Sequence, residues 1–230
     1  MKRAIELFTF ERRSSRTSMI EQTWQTRSEP EESFISVAVS HWEVVVTRRW
    51  GSARLTVRGP ETRATTAPIP QDAEFFGIQF SLGTFMPGLP PGQLVDSSLT
   101  LPRATKTSFW LDGSGWELPG PDNADVFADR LVRAGLLVHD PVASAALQGD
   151  VEGLSTRSVE RRVSRATGLT RGAIGQIRRA ERAAELLCRG VSPLAVAGQV
   201  GYADQPHLIR SLKRFVGRTA SQIATSTRGG

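Results

Sequence analysis

Cysteine is almost absent from this chain: Cys188 is the single one among 230 residues. That excludes an internal disulfide framework and any thiolate-rich zinc site. Histidine is nearly as scarce, with only His41, His139 and His207, far from the cluster of His and carboxylate ligands that a metal-dependent enzyme needs. No apolar run approaches the roughly 20 residues that span a bilayer. The opening MKRAIELFTFERR mixes charge with apolar residues and lacks the unbroken apolar stretch of a secretory signal. There is no phosphate-cradling glycine loop and no Ser or Cys nucleophile in a recognisable setting. These absences predict a cytoplasmic, non-enzymatic protein with no cofactor, no metal and no membrane partner.

What is present is unevenly distributed. The net charge is +6, but from Leu131 onward 15 Lys and Arg stand against 7 Asp and Glu, while residues 1–130 carry 14 against 16. All but one of the 15 C-terminal cations are arginine, whose planar fork matches phosphate and guanine edges. A basic half joined to a faintly acidic one points to nucleic acid as the partner of the basic half.

Residues 4–12, 19–28, 33–47 and 53–58 are rich in Val, Ile, Phe, Trp and Thr and are broken by Ser, Gly and Pro, which predicts strands. The segment from Ser33 through Trp50–Gly51 to Pro60 predicts a hairpin, and a further strand is expected around Glu74–Phe80. Residues 85–121 read as irregular, with short helices expected near Gln93 and Trp110. Helical spacing begins at Asn123, where Val126, Phe127, Leu131 and Leu136–Leu137 recur on one face and Asp122 or Asn123 is placed to cap. The expectation is an α+β chain: residues 1–121 form a small antiparallel β-barrel, and residues 122–230 form an all-helical domain.

The helical part contains a repeat. GLSTRSVERRVSRATG (Gly153–Gly168) matches GYADQPHLIRSLKRFVG (Gly201–Gly217). Val159 falls on Leu208, Arg161 on Arg210, Val163 on Leu212, Arg165 on Arg214 and Gly168 on Gly217, at a constant offset of 49 residues. Each copy has the parts of the second helix of a helix-turn-helix. A glycine permits the tight turn, and Ser155 or Asp204 caps the new helix. Apolar residues four apart pin it down, and the opposite face stays polar. That face carries Arg157, Glu160, Arg161 and Arg165 in the first copy, and Gln205, His207, Arg210 and Arg214 in the second. Such a helix suits the major groove. Ahead of the second copy, SPLAVAGQVG offers Ser192 as a cap and Pro193 at the first helical position. Between the copies, RGAIGQIRRAERAAELLCRG reads as one helix with an apolar stripe from Ile174 to Leu187, a rigid spacer for two readers.

These motifs resemble the arabinose-regulator (AraC/XylS) family over about residues 142–224. They are S-x-R-x-(apolar)-x-R-R, R-R-A-E-R-A-x-x-L-L, and G-Y-x-D-Q-x-H-(apolar)-x-R-x-(apolar)-K-R-x-x-G-x-T. The resemblance implies two tandem helix-turn-helix units reading neighbouring turns of double-stranded DNA. It puts base contacts on Arg157, Glu160 and Arg161, then Gln205, Pro206, His207 and Arg210. Arg162, Arg165, Lys213 and Arg214 are expected mainly to hold the phosphate backbone. The chain departs from the family where PVASAALQGDVEG is too short for the usual two helices before the first reader. Either the helix at 123–137 takes the missing one's place or the first unit is trimmed. Pro206 replaces a small polar residue, and Ala220 a proline.

For the N-terminal half the resemblance implies a cupin-like barrel that binds a small-molecule effector or forms a homodimer. His41 reads as a strand residue with a satisfied ring, and Cys188 as a buried inert thiol. Trp42, Glu43, Trp50, Phe75, Phe76 and Phe80 fall on predicted strands, where they fill a core or line a pocket. The function predicted is a sequence-specific DNA-binding transcription regulator. The alternatives are a cupin-type enzyme and a DNA-binding structural protein without sequence preference.

Overall fold

In the N-terminal half an alternation of period two sorts side chains onto the two faces of one sheet. The computed structural model describes residues 11–15, 17–28, 33–150, 153 and 155–225. Its main sheet is built from β1 (Glu11–Arg13), β2 (Ile20–Arg27), β4 (Glu43–Arg49), β5 (Ser52–Arg58), β7 (Ala73–Phe80) and β9 (Ser98–Thr100). The order is β1-β2-β7-β4-β5-β9 and every neighbour is antiparallel. Along β4, Val44 and Val46 face one way and Glu43, Val45 and Thr47 the other; along β7, Phe76, Ile78 and Phe80 oppose Phe75 and Gln79. The first set is buried in a core with Leu55 and Val57. The second set faces a cavity. Trp42 stacks on Phe80 at 4.1 Å, so of the strand aromatics Trp42, Phe76 and Phe80 are core, while Phe75 and Glu43 line the cavity.

The expected antiparallel N-terminal sheet and C-terminal helices are both present, but among the described residues the sheet does not close into a barrel. It ends at β1 and β9, and β3 (Ser33–Ser36) pairs with β6 (Thr65–Pro68) as a separate two-stranded sheet. The run 33–47 is therefore not one strand: it breaks after Ser36 and resumes at Glu43. β6, a Thr-Thr-Ala-Pro segment, had no hydrophobic signature to announce it. The strand predicted over residues 4–12 lies almost wholly outside the described residues.

The turns explain another difference. Near Trp110 the chain forms no helix. β10 (Ser108–Leu111) pairs with β11 (Ser114–Glu117) across Asp112–Gly113, both with positive φ, 50° and 71°. An Asp-Gly pair is a strong two-residue hairpin signal, and it outweighs the local irregularity of the sequence. Near Gln93, where a short helix was expected, a three-residue 3-10 turn spans Pro91–Gln93. Trp50–Gly51 repeats the same turn geometry between β4 and β5, with φ of 50° and 69°. It leaves Trp50 77% exposed, with the Arg49 guanidinium 3.7 Å from its ring centroid.

Helix α1 (Ala124–Arg133) belongs by packing to the N-terminal half. Its Phe127, Ala128 and Leu131 join the sheet's core together with Phe109 and Trp116, and Phe127 meets both rings edge-on. Asn123 does not cap α1 with its side chain; its Oδ1 accepts from the Gly120 N–H instead, at 2.7 Å. After α1, β12 (Val138–His139) pairs with β8 (Thr84–Phe85), and a second core begins at Ala143.

Candidate nucleic-acid interface

Among the described residues six helices follow β12: α2 (Pro141–Gln148), α3 (Thr156–Thr167), α4 (Arg171–Cys188), α5 (Pro193–Gln199), α6 (Gln205–Phe215) and α7 (Ala220–Thr225). Their starts are chemically marked. Asp140 accepts from the Val142 and Ala143 N–H groups, Ser155 from Ser158, Thr170 from Ala173, Ser192 from Ala195 and Asp204 from His207. Each bond satisfies an N–H that has no partner inside its helix, a contribution of about 1 kcal/mol per cap. The turn glycines of the repeat adopt the same left-handed geometry, φ 73° at both Gly153 and Gly201. The terminal glycines match too, at 76° for Gly168 and 72° for Gly217.

The apolar pins behave as the repeat requires. Val159 and Val163 on α3, and Leu208, Leu212 and Phe215 on α6, are buried in one core. The shared helix α4 supplies Ile174, Ile177, Ala180, Ala184 and Leu187 to that core. In the second unit a buried Tyr202 hydroxyl pairs with Ser211 Oγ at 2.8 Å, so the one polar group on the inner face of α6 is satisfied. Cys188 is half-buried beside this core.

On the outer faces, Arg157 and Arg161 of α3 and Gln205, Pro206, His207 and Arg210 of α6 are solvent-exposed. Among the described residues, Arg157, Arg161 and Arg210 form no ion pair, so their charge is free for a polyanion. Glu160 is half-buried and its carboxylate lies 3.5 Å from the Arg171 N–H. His207 sits edge-on to Tyr202, ring centroids 5.1 Å apart. Lys213 and Arg214 are exposed near the end of α6, Arg214 with its guanidinium over Phe215 at 4.9 Å.

Two arginines of the first reader are committed elsewhere. Arg162 pairs with Asp140, the α2 cap, at 3.1 Å, and Arg165 lies over the ring of Phe85 on β8, 5.5 Å from its centroid. Other cations counted in the basic half are structural: Arg178 donates to the Leu147 carbonyl at 2.9 Å, and Arg179 reaches the Gly201 carbonyl and the Tyr202 ring. Charge counting cannot separate these from the arginines without an ion pair among the described residues, because both sit on helix surfaces.

The trimmed first unit is completed by the N-terminal half, and α1 does not stand in for the missing helix. Phe85 and Ala38 are members of the helical core, and α3 packs on β8 and on the 3-10 turn at Pro91–Gln93. Gly168 meets that turn so closely that a Cβ there would lie 2.7 Å from Gly92 N. The end of α6 also meets the N-terminal half. The Ala38 and Ala64 N–H groups donate to the Phe215 and Arg214 carbonyls at 2.8 and 2.7 Å, which satisfies groups that a helix end leaves open.

Between the sheet's polar face and helices α4 and α6 lies a cavity of about 510 Å³, a volume suited to a small organic molecule. Its floor is an ionic cluster. Arg58 lies 2.6 Å from Glu61 and 3.4 Å from Glu43. The Trp24 indole N–H donates to Glu43 at 2.9 Å and the Ser36 hydroxyl to Glu61 at 2.7 Å. Burial opposes the charged form of Arg58, but Glu43 and Glu61 outweigh it and raise its pKa above the usual value. Trp24 lies flat across Gly77, occupying the place a Cβ would take. Glu43 and Phe75 were legible as pocket candidates, but the cavity itself was not, since its walls run from Gln22 to Arg218, 196 residues apart.

A family model described as Helix-turn-helix domain matches residues 149–226. Among curated proteins, the HTH-type transcriptional regulator RipA of Corynebacterium glutamicum is 30% identical over 132 residues, covering 50% of this chain. The chain spans only 39% of that regulator's length. Two solved structures of ToxT from Vibrio cholerae align with 9% identity at TM-scores of 0.45 and 0.43, covering 90% and 91% of this chain and 99% and 98% of theirs. The duplicated capped helices and the shared α4 agree with the matched model: residues 149–226 are a helix-turn-helix domain.

Proposed function

We propose that the chain is a sequence-specific DNA-binding transcription regulator with two reading helices, α3 and α6. The observation that carries this is the duplicated geometry: two helices with side-chain caps, buried pins four residues apart, and exposed arginines on the opposite face that form no ion pair among the described residues. Arg157 and Arg161 of α3 and Gln205, His207 and Arg210 of α6 are assigned to base edges and adjoining phosphates. Lys213 and Arg214 are assigned to the backbone. Arg162 and Arg165, given their partners in the protein, are assigned to positioning α3 with secondary phosphate contact, and Glu160 to the edge of the reading face.

The chain carries no catalytic role in this reading and works on DNA in the cytoplasm. No helix of the described residues is long and apolar enough to cross a membrane. The cavity is its effector site, and pairing as a homodimer through the N-terminal unit is proposed on the family resemblance. A division into an N-terminal unit over residues 1–121 and a helical DNA-binding unit over residues 122–230 is part of the proposal, with α1 packed on the sheet of the first.

Selection of bound fragments from genomic DNA by the purified full chain tests this. Two half-sites about one helical turn apart are expected. Arg161→Ala should relax preference at one position of the first half-site and cost about 1–3 kcal/mol there. A uniform loss across all sequences would reduce Arg161 to a phosphate contact. Equal affinity for random and selected DNA at fixed salt would sink the regulator reading.

A further inference from the structure

We infer that the two reading helices tell bases apart by different chemistry. Helix α6 reads a thymine by its 5-methyl group, against Pro206 and Ile209 and beside the base met by Arg210, whereas α3 reads polar edges. This deepens the DNA-binding reading above and rests on it.

The internal repeat sets up the contrast. At its offset of 49 residues, Pro206 stands where the first copy has Arg157, and Ile209 where it has Glu160. Arg210 stands where the first copy has Arg161. A charged pair in one reader is thus an apolar pair in the other, around an arginine that both keep. Helix α6 buries Leu208, Ser211, Leu212 and Phe215. At about 3.6 residues per turn, Pro206, Arg210 and Lys213 point away from that face and Ile209 flanks them. Ile209 is 37% exposed, and Pro206 is exposed one turn before it. Among the described residues, Ile209 is the one exposed large apolar side chain on either α3 or α6.

The chemistry of these two residues narrows what they can meet. Neither side chain donates or accepts a hydrogen bond. Pro206 also lacks the backbone N–H that the start of a helix offers to a phosphate. Residues of this kind gain from a base edge only by covering apolar surface. In the major groove the apolar group is the 5-methyl of thymine, and the other features are hydrogen-bond donors and acceptors. A cytosine at that place would turn its amino group toward Ile209, which has no acceptor to offer. Gln205 and Arg210, on either side, carry the polar groups that fix adjoining bases. In α3 the matching positions hold Arg157, which is exposed, and Glu160, half-buried beside the Arg171 N–H. Neither charge finds a partner in a methyl group.

Deoxyuridine tests this, because it pairs as thymine does and lacks only the methyl group. On the selected operator, Arg161→Ala and Arg210→Ala first mark which half-site each helix reads. Thymines are then replaced one at a time and the full chain is titrated at fixed salt. One thymine beside the Arg210-dependent position is expected to lose about fourfold in affinity as uracil, the worth of one buried carbon. Thymines in the other half-site are expected to lose less than about half of that. Ile209→Ala should bind the thymine duplex about fourfold more weakly and show little further loss on the uracil duplex. Its site is exposed and alanine favours helix; should it fail to fold, the comparison of half-sites with the unaltered chain decides alone. A uracil effect equal in both half-sites, or retained in full by Ile209→Ala, overturns the inference. So does a second half-site without thymine beside the Arg210-dependent position. A chain that selects its DNA yet ignores uracil overturns the methyl reading and spares the regulator. Equal affinity for random and selected DNA overturns both.

Discussion

The two reading units carry the same local code and complete their cores in different ways. Both have a turn glycine at φ 73°, a side-chain cap, two buried pins and a terminal left-handed glycine. The second unit leans chiefly on its own neighbours: α4, α5 and the Tyr202–Ser211 pair. The first borrows Phe85 and the turn at Pro91–Gln93 from the N-terminal half, and commits Arg162 and Arg165 to that side of the helix. A helix-turn-helix is thus specified locally, but the partner that covers its back is whatever apolar surface the rest of the fold delivers. In this chain the N-terminal half is a structural part of the first helix-turn-helix unit.

The sharpest way to break that comparison is Phe85→Ala. Phe85 lies on a two-residue strand of the N-terminal half yet is 5% exposed within the helical core. Its truncation should cost about 3–5 kcal/mol in chemical denaturation. Amide exchange should accelerate in α3 well before α6; equal acceleration would mean that both units share one core support.

A smaller effect separates the matched glycines. Gly168→Ala would drive a Cβ into Gly92 N and the Pro91 carbonyl carbon at 2.7 and 2.8 Å, backbone atoms that cannot swing aside. Together with its positive φ, this should cost about 2–4 kcal/mol. Gly217→Ala meets the Ile35 side chain at 2.7 Å and Ala64 Cβ at 3.0 Å, and part of that can yield, so a lower cost is expected. Gly201→Ala meets nothing within 4 Å and should cost only the backbone strain, about 1 kcal/mol. Thermal unfolding of the three variants gives the ranking directly, and a reversed order of Gly168 and Gly201 would show that the first unit is not seated on the turn.

The smallest effect is one where the units should agree. Ser155→Ala and Asp204→Ala each remove one cap bond on a largely exposed helix start, and each should cost about 1 kcal/mol. A loss in one and none in the other would mean that tertiary support overrides the local code at that end.

Much of this architecture is readable from residue patterns, for particular reasons. The repeat, its caps and its pins are short-range features: a Ser or Asp three residues before the N–H it binds, and Val or Leu four apart on one helical face. The strands around β4, β5 and β7 show themselves through period-two alternation. The β10–β11 hairpin was also marked, by Asp112–Gly113, but the proline-rich surroundings masked it. β6 carried no such mark, since Thr65–Pro68 becomes a strand through its pairing with β3. The exposed arginines Arg157, Arg161 and Arg210 lie where the repeat puts them. Arg162, Arg165, Arg178 and Arg179 are indistinguishable from these by spacing alone, and they acquire separate duties only when Asp140, Phe85, Leu147 and Tyr202 arrive beside them.

By itself the sequence determined the element types of the C-terminal half, the duplication of its reading helix and the two faces of the central strands. All of these depend on bonds and periodicities spanning a few residues. The tertiary structure alone decided that α1 joins the sheet's core, that the first reader is backed by Phe85 and a proline turn, and that a cavity with a carboxylate-rich floor opens between the halves. Those outcomes depend on burying apolar surface between segments far apart in the chain, where each face accepts any partner of suitable shape and chemistry and local pattern carries no record of which one it meets.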